Sequence, residues 1–429
     1  MSALLAQVLP HLGAALVVAF IVSALANDAG LSLLTRRWLV PGIFVVLLVP
    51  WLEYNLTHYV RVLTGDLSIT SLVMFSMILA GDLLGMTEKI YRRKQLLEIA
   101  MVILGAAALL YPTALGLTYF DLYRFGYYPI VLGPVLFVIF AGCAWYGRTV
   151  AASLVALCFV CFSLGFLESD NLWDYLLDPV ITIYCLVLVI RHRSALPSFR
   201  MDQQQVETLA AITIATFLFF SIYLARFNEP AFRYEFTIED GFVEWCTVVV
   251  LFITMIVCAR RFWRLRGARS PLFLTVTALL TLLCLFGAGE EISWGQRIFG
   301  LETPDYLKER NAQGELGLHN LVVEINGEEV KINKLVFGTG LALMLSIYVF
   351  IATPLYRRND RVRSFFNHIA APMPRNYHII GYLFVVATVE LLIDSGKRGE
   401  MTEFAGSIVF ALNIIYPYNP DIFDPKKPL

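Results

Sequence analysis

The sequence predicts an all-α, polytopic transmembrane fold of 12–13 spans with one long ordered outer loop, and three observations carry that prediction. Of 429 residues, 58% are apolar and 16% are charged, against about 45–50% and about 25% in soluble domains. The apolar residues fall in long continuous runs, not in the short alternating segments of a barrel, and lipid admits only helices and closed barrels. Mean hydropathy is +0.68. A net charge of −1 and the lack of a basic, aromatic-interleaved stretch give no argument for nucleic acid as a partner.

Runs matched to the roughly 20 residues a span needs lie near 4–26, 39–60, 66–86, 95–115, 128–146, 149–167, 173–191, 206–227, 240–259, 270–290, 335–356 and 376–395, with a shorter one at 401–418 that Asn413 interrupts. The opening residues, Met1-Ser2-Ala3-Leu4-Leu5, lack the basic segment of a cleaved signal peptide, so the first run is expected to stay as a span. Seven cysteines lie inside apolar runs, which suits packing better than a disulfide or metal framework.

Alternate connections hold 22 of the 33 Lys and Arg residues. The positive-inside rule puts those connections in the cytoplasm and the N-terminus outside. Residues 196–205, with Pro197 and Gln203-Gln204-Gln205, form a cytoplasmic linker between an N-terminal module of seven spans (1–195) and a C-terminal module (206–429). No internal repeat relates the two, so an inverted-repeat transporter is not indicated. In the first module, Asn171-Leu172-Trp173-Asp174-Tyr175 is expected to lie along the membrane surface, its Trp and Tyr serving as belt anchors.

The second module carries the outer loop, 293–333, in which Asn326-Gly327 between alternating residues signals a two-residue hairpin. A loop of this length that contains a hairpin is expected to be a lid or binding element. It starts from Gly287-Ala288-Gly289-Glu290-Glu291-Ile292-Ser293-Trp294-Gly295-Gln296-Arg297, at the end of a charge-free run. A continuing helix would put Glu290, Trp294 and Arg297 on one face. Acids at a helix C-terminus oppose the macrodipole, and a bilayer edge adds a desolvation cost, so helix stability does not explain the Glu pair.

Other polar groups collect on the same side. Glu239 and Asp240 open the ninth span, where capping accounts for them equally well. Glu244 sits one turn deeper, followed by Trp245, and Arg226 ends the eighth span. Glu315 and His319 share a helical spacing that could orient an imidazole for base work, with Asn320 beside it. Glu390 and Asp394 close the twelfth span, where Lys397 or Arg398 could pair with them. The span middles are nearly free of charge, which does not favour an ion path. His11, His58 and His319 are the only outer histidines, too few for a histidine zinc site. The composition is compatible with a hard divalent ion held by Asp240, Glu244, Glu290 and Glu291. No HExxH, GxSxG, Walker or GxGxxG element occurs.

The Gly289-to-Arg297 segment, with the pieces around Glu239–Trp245 and Leu318-His319-Asn320, resembles a group of uncharacterised bacterial inner-membrane proteins over roughly the second half of the chain. No activity comes with that resemblance. The layout, about twelve spans with a large late outer loop containing Arg and His, is similar to that of O-antigen ligases and polymerases. This resemblance implies glycan transfer from a polyprenyl-diphosphate carrier at the outer face; the Glu pair is not part of it.

These features lead to an expected inner-membrane transferase or hydrolase for a lipid or lipid-linked substrate. Glu290, Glu291, Glu244 and His319 would be its acid–base groups. Arg297 and Arg226 would hold an anionic head group, and Trp294, Trp245, Gln296 and Asn320 would line the binding site. A lipid or polysaccharide transporter, and a non-catalytic subunit of an envelope assembly, are the alternatives.

Overall fold

The computed structural model describes residues 2–51, 54–86, 92–116, 121–196, 201–238, 241–296, 300–308, 310–311, 316–317, 321–325, 328–331 and 340–427. The chain divides into two compact units, Met1–Met201 and Asp202–Leu429. Among the described residues, six helices are long and apolar enough to cross a membrane: Gln7–Asp28, Arg93–Ala114, Gln203–Phe227, Phe242–Leu265, Pro271–Glu291 and Leu341–Arg358. The protein is a multi-pass, all-α membrane protein.

The first unit contains α1 (Ser2–Asp28), α2 (Leu33–Leu48), α3 (Leu56–Thr64), α4 (Ile69–Leu84), α5 (Arg93–Ala114), α6 (Pro129–Trp145), α7 (Thr149–Ser163), α8 (Leu172–Leu176) and α9 (Pro179–Arg191). The run expected to span at 39–60 is not one helix. Val49 precedes Pro50 and takes extended angles (φ −68°, ψ 131°), because a proline disfavours the helical region for the residue before it. A two-stranded turn, Pro50–Trp51 with Tyr54–Asn55, follows, and α3 then meets α4 at 117°.

The span expected at 173–191 also starts later. Asp178 caps α9 with one carboxylate oxygen, which accepts from the amides of Val180 (2.8 Å) and Ile181 (2.9 Å). The other oxygen accepts from Ser68 N (2.8 Å), Ser68 Oγ (2.6 Å) and the Ser71 hydroxyl. One buried side chain thus closes the starts of α9 and α4 together.

The expected surface anchoring of Trp173 and Tyr175 is corrected by their contacts. Tyr175 is 1% exposed, and its hydroxyl bonds to both peptide groups of Leu167 (3.0 and 3.2 Å). Trp173 donates to Leu122 O at 3.0 Å, and Asn171 Nδ2 donates to Tyr123 O at 3.0 Å. A Cβ on Gly126 would sit 1.7 Å from Asn171 Oδ1, so only glycine lets the 3₁₀ turn Tyr123–Tyr127 close on α8. Burial, and then the Asp174 carboxylate, push the Tyr123 phenol well above its usual range. It therefore stays protonated and donates to Asp174 (2.9 Å). These connections hold one another, where the sequence suggested lipid contact.

The second unit contains α10 (Gln203–Phe227), α11 (Phe242–Leu265), α12 (Pro271–Glu291), α13 (Leu341–Arg358), α14 (Asp360–His368), α15 (Asn376–Leu392) and α16 (Gly399–Ile415). The expected hairpin is present: Val322–Ile325 pairs antiparallel with Glu328–Lys331, and Ile325 faces Glu328 across a two-residue connection. The interrupted run at 401–418 is α16, lined by buried Phe404, Ile408 and Leu412. Asn413, the polar residue within it, accepts through Oδ1 from His378 Nδ1 at 2.8 Å. Cys258, Cys284 and Ile414 pack together inside this bundle, whose far end, away from Glu291, is where α11 and α16 finish.

That far end is closed by arginines. Arg261 donates to Ile414 O (2.5 Å) and Ile415 O (3.0 Å), the last carbonyls of α16. Arg269 donates to Ile422 O (2.9 Å), Asp424 O (2.6 Å) and Lys427 O (2.9 Å). Arg375 donates to Tyr416 O at 3.0 Å. The carbonyls that α16 and the C-terminal segment cannot satisfy internally are met by guanidinium forks.

Replacing Asp178 by Asn keeps an acceptor for the α9 cap but turns the oxygen serving Ser68 and Ser71 into a donor. The expected loss is about 2–4 kcal/mol of stability, read as a lowered thermal midpoint of the detergent-solubilised chain. An unchanged midpoint contradicts this account.

Candidate functional site

The site region starts at the end of α12. Its last turn, Gly287-Ala288-Gly289-Glu290-Glu291, is followed by three residues with positive φ: Ser293 (45°), Trp294 (56°) and Gly295 (73°). The helix therefore does not continue. Glu290 and Trp294 meet for a different reason from helical spacing: the left-handed turn folds Trp294 back over the helix end. Two non-glycine residues in that region cost about 1–2 kcal/mol each, which the contacts of the indole offset. Its Nε1 donates to Glu290 Oε1 at 2.6 Å, and its ring meets Phe286 edge-on at 5.8 Å between centroids. A Cβ on Gly289 would sit 3.0 Å from the indole, so this glycine provides the seat for the ring.

Glu290 is 6% exposed, and Glu291 is half-buried. The carboxylates in electrostatic reach of Glu291 are those of Glu403, Glu400 and Glu290. Glu400 sits in the first turn of α16 and pairs with Lys397 Nζ at 3.3 Å. Close by in the chain, Ser395 Oγ donates to Glu229 Oε1 at 3.2 Å. This contact ties the residues after α15 to those after α10. Sequence reading passed over Glu400 and Glu403; the Glu-x-x-Glu spacing ahead of an apolar run was the available signal.

Glu244 is half-buried in the first turn of α11. The antiparallel pairing of α11 with α12 fixes its level. Leu251 lies against Gly287, 3.2 Å from where a Cβ would be. At about 1.5 Å per residue, Glu244 lies beyond that contact in the same direction as Glu290 and Glu291. Trp245 is half-buried beside it. Arg226 is exposed in the last turn of α10 and makes no ion pair among the described residues. Glu390 is taken by Arg398 at 3.0 Å, and Asp394 is exposed.

Gln296, read from sequence as a substrate contact, has both ends of its amide in use within the loop. Its Nε2 donates to Thr303 Oγ1 (2.7 Å), and its Oε1 accepts from Leu316 N (2.9 Å). Asn311 Nδ2 donates to Gly317 O at 2.6 Å, and Val322 N donates to Arg310 O at 2.8 Å. The loop thus has its own hydrogen-bond framework, anchored where it leaves α12. Glu239, Asp240, Arg297, Glu315, His319 and Asn320 lie outside the described residues.

Among the described residues, no three His, Cys, Asp or Glu side chains are grouped as ligands for a metal ion. The described geometry offers a set of carboxylates at one end of a membrane bundle, capped by an indole and bordered by the described hydrogen-bonded parts of the loop.

Gln296→Ala removes the tie between the end of α12 and both Thr303 and Leu316. Limited proteolysis should then cut within 297–320 at least several-fold faster than in the parent chain, since local opening governs cleavage. Equal rates would mean that other contacts hold the loop.

Comparison with protein-family models, with curated proteins and with solved structures gives no match to this chain.

Proposed function

We propose that this chain is an enzyme of the bacterial inner membrane, with its N-terminus outside, acting at the outer face on a lipid or lipid-linked substrate. The proposed reaction is transfer or hydrolysis, and the substrate class is a polyprenyl-diphosphate-linked glycan. One observation carries the reading: Glu290 is 6% exposed, and Glu291, half-buried beside it, is in electrostatic reach of Glu290, Glu400 and Glu403. Stability alone does not select a buried acid at a helix C-terminus, because desolvation and the macrodipole both oppose its charge there. Enzymes use crowded carboxylates of this kind as general acids and bases. The bias of basic residues between alternate connections supports the orientation. The layout read from the sequence, which is similar to that of O-antigen ligases, motivates the substrate class.

In this reading Glu290 or Glu291, with Glu244 and His319 close to the reacting group, moves the proton. Arg297 and Arg226 hold the anionic head group. Trp245 and the exposed edge of Trp294, 43% accessible, border the apolar part of the substrate. Any divalent ion would bind through oxygen ligands of the same acids.

The Trp294–Glu290 bond also favours a second reading, in which this end is a structural clasp in a non-catalytic membrane subunit.

Glu290→Gln, Glu291→Gln and Glu244→Gln, expressed in cells lacking the parent gene, separate the two. The enzyme reading expects normal protein level with turnover of lipid-linked saccharide down by about a hundredfold or more for at least one variant. The clasp reading expects protein level to fall with activity. Full turnover at normal level in all three would remove the site assignment.

A further inference from the structure

We infer that the arginine-rich end of the second unit is a binding surface for anionic phospholipid headgroups, built by the last turn of α11 and by α14. Helix α11, Phe242–Leu265, has 24 residues. At about 1.5 Å per residue it is about 36 Å long, against a hydrocarbon core of about 30 Å. Its final turn therefore stands at headgroup depth. That turn carries Arg264, with Arg260 one turn before it and Arg266 just beyond, all exposed and long enough to reach the headgroups; Trp263 is 64% exposed, with the Arg266 guanidinium 4.6 Å from its ring. Helix α14 follows the end of α13 after one residue, Asn359. It exposes Arg361 and Phe365 (59%), next to exposed Arg358. The two patches share an end of the bundle, because the C-terminal segment touches both: Phe423 lies 4.1 Å from the Arg261 guanidinium and Tyr418 4.8 Å from that of Arg357.

The arginines at this end fall into two groups. Arg261, Arg269, Arg357, Arg363 and Arg375 are committed to carbonyls or side chains of the fold. The guanidinium groups of Arg260, Arg264, Arg358 and Arg361 have no hydrogen-bond or ion-pair partner among the described residues. Asp360 is paired with Arg363 and Asp421 with Lys427, and among the described residues Glu207, Asp202 and Asp424 form no ion pair with these four arginines. Uncommitted guanidiniums at headgroup depth match phosphate oxygens in charge and geometry. The exposed Trp263 and Phe365 beside them suit the interfacial layer and would be of no use to a soluble anion.

The test is native mass spectrometry of the full chain released from micelles containing equal phosphatidylglycerol and phosphatidylcholine. The parent chain is expected to retain phosphatidylglycerol preferentially, and the preference should fall as salt rises. The variant Arg260→Gln/Arg264→Gln/Arg358→Gln/Arg361→Gln should lose it, at roughly fivefold per arginine. Arg233→Gln, exposed between α10 and α11 at the other end, should keep it. Inorganic phosphate at the lipid concentration should not displace the lipid. Retained preference in the fourfold variant, a preference indifferent to salt, or displacement by phosphate would each overturn the inference. Because the salt arm uses the parent chain, it decides even if the variant does not fold.

Discussion

Helix ends away from bulk water need hydrogen-bond partners that the helix cannot supply, and this constraint places most of the polar side chains described above. An unmet peptide group in an apolar setting costs several kcal/mol. In the first unit Asp178 meets the amides of α9 and the polar start of α4 at once. In the second, Arg261 meets the last carbonyls of α16 and Arg269 those of the C-terminal segment. Each of these charged groups joins elements distant in sequence, so satisfying helix ends and fixing tertiary structure are the same interaction.

The glutamate end of the second unit departs from that economy. Glu290 accepts from Trp294, but the helix end it occupies would be better served by a cation. Two left-handed residues, Ser293 and Trp294, sit directly after it. Backbone strain and adverse charge in one place require compensation from packing, here the indole seated on Gly289 and against Phe286. Functional sites concentrate features of this sort; at the arginine end one residue, Ala370, is left-handed (φ 54°), but the charge matches helix polarity.

Much of this was legible in the chain because lipid simplifies the code. Continuous apolar runs identify helices, and Asn326-Gly327 between alternating residues identified the hairpin through turn geometry alone. Punctuation was legible but misread. Pro50 ended the second run early, and Asp178-Pro179 started the seventh late, each by a local backbone rule that a hydropathy window does not weigh. Trp173 and Tyr175 looked like interfacial anchors because their spacing and polarity suit that role equally well. Their burial depends on Asn171 and on Gly126, about fifty residues earlier.

By itself the sequence determined the membrane class, the helical content and the existence of a polar segment at the end of the tenth run, because these follow from local composition and from the intolerance of lipid for unpaired backbone. Tertiary structure alone decided what the polar residues do. It turned Trp294 back onto Glu290, brought Glu400 and Glu403 toward Glu291, committed Gln296 to the loop, and divided the arginines into those that hold carbonyls and those that face outward. Those assignments depend on pairing between helices far apart in the chain, and a one-dimensional pattern of charge and hydropathy carries no record of which helix ends meet.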